Sequence, residues 1–165
     1  SAQMAGLNVS NQVLDRARNY INKARRGGKN QGEFAYQPGS HSSPAMTSEG
    51  LLCFAYLGAK RDDPFLLRGI DWMEGHLPAK NKDTSYYWYY GTQVMFHVQG
   101  QPWKAWNEEM SSTLLSTQVE KGANAGSWNP RDKWEERGGR IMSTSLRLLM
   151  LEVYFRHLPL YQALE

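Results

Sequence analysis

Apolar residues recur along this chain in two alternating registers. From Ser10 to Arg26, the residues Val13, Leu14, Ala17, Tyr20, Ile21 and Ala24 fall on one stripe of helical period, so the segment reads as a half-exposed helix. Ser10 suits its N-cap and Gly27 its end. After a Gly-, Lys-, Gln- and Ser-rich loop over 27–43, Pro44 stands where a helix starts. The stretch Leu51 to Leu57 is apolar all round and Gly58 closes it, which marks an inner helix. The order then repeats. Asp63-Pro64 pairs an N-cap with a proline at the first helical position, and Phe65, Leu66, Gly69, Ile70, Trp72 and Met73 form the next stripe. The run Tyr86-Tyr87-Trp88-Tyr89-Tyr90 opens an apolar stretch reaching His97 before Gly100. Five consecutive aromatics also suit a strand, but the phase of the repeat favours an inner helix. In the third unit Pro102 starts a helix with Trp103, Trp106, Met110 and Leu114 on one stripe, and a polar loop holds Gly126-Ser127-Trp128 and Gly138-Gly139. A last helix runs from about Ile141 to Arg156, Pro159 prevents its continuation, and Leu160 and Tyr161 are expected to pack back on the body.

A unit recurring every ~40 to 50 residues is one helical hairpin stacked on its neighbours, because a single hairpin cannot bury both of its helices. The pattern predicts an all-α fold of about three αα pairs, with no strand, in one domain over residues 1–165. It also predicts that 46–57, 86–98 and 141–155 are more buried than 10–26, 64–76 and 103–118. Six Trp, nine Tyr and five Phe set against a mean hydropathy of −0.64 call for an aromatic interior beneath a polar surface. No apolar run approaches the ~18 residues that span a bilayer, and no leader pattern is visible, although Ser1-Ala2-Gln3 leaves a removed leader open and the compartment with it. A net charge of +3 is too small to argue for nucleic acid. The basic cluster Arg16, Arg18, Lys23, Arg25, Arg26 and Lys29 reads as a solvated face. The single cysteine, Cys53, lies in an apolar run and reads as a buried structural thiol.

Arg16-Ala17-Arg18-Asn19-Tyr20-Ile21 and Arg68-Gly69-Ile70-Asp71-Trp72-Met73, followed later by Gln118 and Gly126-Ser127-Trp128, resemble the QW repeat of the squalene–hopene cyclase and protein prenyltransferase superfamily. Three copies in phase cover nearly the whole chain. Arg25 stands in place of the glutamine in the first copy; the second lacks the glutamine and the Gly-x-Trp, and the third lacks the basic start. The resemblance implies an α/α toroid, a ring of inner and outer helices with about twice the six read here, so this chain resembles half of one. An open half-ring leaves one flank of its inner helices exposed, and such a flank usually meets a partner. The motif glycine would permit a tight turn, and the motif indole would stack over the next helix start with its N–H on an acceptor.

The catalytic sets of that superfamily are incomplete here. The stretch that would supply an Asp-x-Cys to zinc reads Asp83-Thr84-Ser85-Tyr86, and Arg140-Ile141-Met142-Ser143-Thr144 lacks the histidine. Neutral hydroxyls are poor zinc donors, so no metal and no cofactor is expected. The Asp-x-Asp-Asp acid of the cyclases is missing, Asp62-Asp63 being better explained as a helix start, and so is the Gly-Cys-Gly-Glu-Gln of the thioester members. His41, His76, His97 and His157 are too scattered for a metal cluster, and His97 reads as a satisfied core residue. What remains is an aromatic set near the inner-helix starts. Tyr86, Tyr89, Tyr90, Trp88 and Tyr36 are candidate ligand-binding residues, with Asp83 and Arg140 at a polar edge, although filling the core is the plainer role for such rings. The charge run Arg131 to Arg140 reads as solvated, with its arginines placed to receive an anionic head group if they border a cavity.

These observations favour a non-catalytic ligand- or protein-binding domain. The expected partners are a hydrophobic or isoprenoid-like small molecule, a second copy, or the remainder of a longer chain. The alternative is an isoprenoid cyclase or prenyltransferase whose acid or metal lies elsewhere. A glycan-processing toroid is more remote, since no carboxylate spacing singles out a pair.

Overall fold

A computed structural model of the chain describes residues 2, 5–28, 31–78 and 85–161. Within them the protein is all-α, with seven helices and no strands: α1 Asn11–Ala24, α2 Pro44–Tyr56, α3 Pro64–Glu74, α4 Ser85–Val98, α5 Gly100–Thr117, α6 Lys133–Leu151 and α7 Val153–Arg156. The aromatic run Tyr86–Tyr90 is helical, as the repeat phase required. Ser10 and Asp63 act as the caps the sequence suggests, and the structure adds Ser43. Ser10 caps Val13, Ser43 caps Met46, and the Asp63 carboxylate accepts the N–H groups of Phe65 and Leu66.

The helices lie in two layers. α2, α4 and α6 pack side by side; α1 packs against α2, α3 against α2 and α5, and α5 against α4. Glycines bring the layers close where the repeat places them. A Cβ on Gly69 would stand 2.4 Å from Leu51, and one on Gly91 2.6 Å from the Trp106 ring. Gly32 combines a φ of +100° with a backbone approach to Gly69 of 2.6 Å from its would-be Cβ, so it sets how closely the loop after α1 meets α3 as well as a turn.

Two of the three repeat motifs make matching hydrogen bonds. Phe34 donates its backbone N–H to Thr47 Oγ1 and Trp128 donates its own to Thr144 Oγ1, each at 3.2 Å. Gly32 and Gly126 both hold positive φ two residues earlier. The Trp128 indole donates to the Leu114 carbonyl at 2.8 Å, and Gln118 Nε2 donates to the Gly126 carbonyl at 3.0 Å. The glutamine and tryptophan of this motif thus tie the end of one helix to the loop leading into the next.

Burial follows the expected order in the first two units, where α2 is far more buried than α1 and α4 more than α3, and departs from it in the third. α4 is buried along almost its whole length. α2 and α3 bury comparable shares, and α6 buries only Glu135, Ser143, Arg147 and Met150, no more than the four side chains of α5. The expectation for 141–155 is therefore corrected. α4 has helices on both sides, whereas among the described residues the main helix neighbours of α6 are α4 and α7. Along α6 and into α7, Ile141 is 83% and Phe155 91% exposed, with Leu148 half-exposed between them at intervals of seven.

The last inner helix also begins earlier than the pattern implied, at Lys133, with a break at Gly139 (φ 71°, ψ −172°). A continuous helix would separate Glu135 from Arg147 by ~18 Å. Instead the two side chains meet in a bidentate ion pair at 2.5 and 3.1 Å, almost fully buried, so the segment before Gly139 folds back on the segment after it. The charge run read as solvated is thus partly structural, with Asp132 and Glu135 both buried. Likewise Arg25 is no free surface cation: its guanidinium lies 4.1 Å from the ring centroids of both Phe54 and Phe65 and 3.8 Å from Asp63.

His97 is the satisfied core residue expected of it, 1% exposed, with Tyr56 Oη 3.0 Å from Nε2 and the Leu160 N–H on Nδ1. Leu160 and Tyr161 do return to the body, where the Tyr161 hydroxyl donates to the Ala59 carbonyl.

Candidate functional site

The starts of α2, α4 and α6 converge, and a half-enclosed groove of about 390 Å³ opens between them. α2 contributes Ser43, Ala45, Met46 and Glu49; α4 contributes Ser85, Tyr86, Tyr87 and Tyr90; α6 contributes Lys133 and Trp134. Tyr36 enters from the loop after α1.

Each wall is held by an identifiable contact. The Tyr36 loop is pinned because Phe34 is buried against Phe65, ring centroids 5.3 Å apart, and because the Tyr20 hydroxyl donates to the Tyr36 carbonyl at 2.9 Å. Trp134 is placed by its neighbours: Asp132 accepts the N–H groups of Trp134 and Glu135, while Glu135 is clamped by Arg147. The second Asp132 oxygen accepts the Ser85 N–H at 3.0 Å, so one carboxylate joins the start of α6 to the start of α4. Burial pushes the Asp132 carboxyl up, but the hydrogen bonds from Ser85, Glu135 and Trp134 outweigh it and hold it below the usual carboxylate value.

The lining is aromatic. Tyr86 stacks on Tyr90 and meets the Trp134 ring edge-on, both at 6.4 Å between centroids. Lys133 Nζ and the Arg137 guanidinium each lie 5.2 Å from the Trp134 ring centroid. Glu49 is the one carboxylate in the wall among the described residues. It makes no hydrogen bond or ion pair among the described residues, and burial raises its pKa. Burial also raises the Tyr90 hydroxyl, with Glu49 beside it adding to the effect.

A smaller depression of about 270 Å³ shares Tyr36, Met46 and Glu49 with the groove and reaches Cys53. Burial, and then Glu49, push the Cys53 thiol up, which keeps it protonated and poorly nucleophilic at neutral pH.

Of the residues the sequence singled out, Tyr36, Tyr86 and Tyr90 come together in the groove. Tyr89 lies beside Tyr90 at 5.1 Å and packs on the core instead of lining the groove, and Trp88 is buried in that core. Arg140 faces elsewhere. It donates to Ser127 Oγ and Asn129 Oδ1 and borders a separate open depression with Ile141 and Thr144. Asp83 lies outside the described residues.

Glu49 and Trp134 were not singled out. The signal for Glu49 was a lone carboxylate entering an otherwise apolar helix. Trp134 was masked by the charges around it, and only the fold-back at Gly139 brings its ring to α4.

No protein-family model matches the chain, and neither a curated protein nor a solved structure matches it.

Proposed function

We propose that this protein is a non-catalytic binding module built on helical-hairpin repeats of α/α-toroid type, and that the groove at the helix starts is its ligand site. The observation that carries this is the groove's composition. A concave aromatic wall with few polar groups suits recognition of an organic molecule. Acid–base or nucleophilic chemistry needs a second partner within hydrogen-bond reach. Among the described residues the lining provides one carboxylate, a protonated thiol close by, and no histidine.

A neutral solvatochromic dye tests the site. It should bind saturably to the wild type, and Tyr86→Ala with Tyr90→Ala should weaken uptake at least tenfold while the melting temperature falls by only a few degrees. Should the double variant unfold while its residual folded fraction takes up dye normally, the tyrosines are core and the reading fails.

Association forms the second part of the reading. The Ile141, Leu148 and Phe155 stripe is the flank of an incomplete ring, to be covered by a second copy of the chain. Burial of ~800 Å² per subunit suffices for a specific contact.

A further inference from the structure

The groove's chemistry narrows its ligand, on the premise that it is a ligand site. We propose that it takes an organic ammonium cation, with the charge set against the Glu49 carboxylate and the alkyl groups against the faces of Tyr86 and Tyr90.

Three helix starts surrounding one groove would ordinarily suit an anion, since helix N-termini carry partial positive charge and free N–H donors. Here several of those donors are already used. Asp132 takes the N–H groups of Ser85, Trp134 and Glu135, Ser43 takes that of Met46, and Pro44 has none to offer. Asp132 also brings its own negative charge to the meeting point of α4 and α6, which opposes the attraction of those two helix starts for an anion.

Glu49 is the group left over. A carboxylate on the groove wall, without a partner among the described residues, becomes costlier still when an apolar ligand displaces its water. The raised pKa of Glu49 reflects the same penalty before any ligand arrives. A cation relieves it, and the ring faces add to the attraction because their quadrupoles present negative potential. The wall already tolerates such contacts, since Lys133 and Arg137 both sit on Trp134. With that ring occupied by the chain's own cations, Tyr86 and Tyr90 are the faces open to a ligand. A metal ion is disfavoured because, among the described residues, the lining supplies a single carboxylate.

Choline and its neutral carba-isostere 3,3-dimethyl-1-butanol separate charge from shape. Titration calorimetry on the folded protein should show choline binding saturably at millimolar concentration or below, at least tenfold more tightly than the isostere. Glu49→Gln should reduce choline affinity about tenfold and leave the isostere unchanged. Tyr86→Phe should retain binding and Tyr86→Ala lose it, with each variant's melting curve establishing that it is folded. Equal affinities for the two probes, or indifference of choline to Glu49→Gln, would overturn the cation assignment while leaving the groove a ligand site. Failure of both probes and of the neutral dye to bind would remove the site itself.

Discussion

Removing Arg147 should be the most damaging single change that leaves the repeat motifs untouched. Glu135 and Arg147 are 0% and 2% exposed, and their bidentate contact holds the two arms of α6 together across Gly139. In Arg147→Met, Glu135 keeps one backbone donor, the Arg131 N–H at 2.7 Å, against the full desolvation of a buried carboxylate. Breaking such a pair from one side costs about 3–5 kcal/mol. That is a large part of the ~5–15 kcal/mol by which a domain of this size is stable. Replacing both residues, as Glu135→Met with Arg147→Met, removes both buried charges and should recover most of the loss. Urea unfolding of the wild type, both single variants and the double variant closes the cycle, and the two singles should sum to clearly more than the double. Trp134 supplies a second readout. Its placement depends on Glu135, so Arg147→Met should weaken dye or choline binding even in the fraction that stays folded. Additive losses below ~1 kcal/mol each would refute the view that this pair sets the fold-back.

Other outcomes follow from individual contacts. Gly50→Ala places a Cβ 2.2 Å from the buried Phe34 ring and should destabilise by about 1–3 kcal/mol in thermal melts. Gly32→Ala adds a positive φ to a backbone clash and should be worse still; a neutral result at either site would sink the close-approach account. Burial and the neighbouring His157 lower the His97 pKa to about 4. Because the folded value lies below the unfolded ~6.5, the unfolded chain binds the extra proton, and stability present at neutral pH is lost as pH falls from about 6.5 towards 4. The loss is about 2 kcal/mol at pH 5. His157, also lowered by burial and Arg156, adds to the same slope, while Glu49, raised by burial, opposes it. The decisive quantity is thus the wild-type slope minus that of His97→Gln, which should be flatter over this window. Sedimentation at micromolar concentration should show a dimer that Leu148→Glu with Phe155→Glu dissociates, and a monomeric wild type would exclude the second copy.

The sequence by itself determined the elements. Local chemistry sets helix starts, so Ser10, Pro44 and Asp63-Pro64 place α1, α2 and α3 to within a residue. The matching loop bonds of Phe34 and Trp128 follow from a motif whose parts lie close along the chain. Tertiary structure decided what depends on neighbours distant in sequence. Burial along α6 was misjudged because apolar composition says that a face needs cover, not that cover is present. Half of the groove was legible, in Tyr36, Tyr86 and Tyr90, since aromatic residues at helix starts are visible in a sequence. The other half was not. A single positive φ at Gly139 reverses the chain, turns Glu135 from a surface charge into a buried partner of Arg147, and carries Trp134 to the groove. Glu49 gained its meaning only when the surrounding helix ends used their own donors and left its carboxylate without a partner among the described residues.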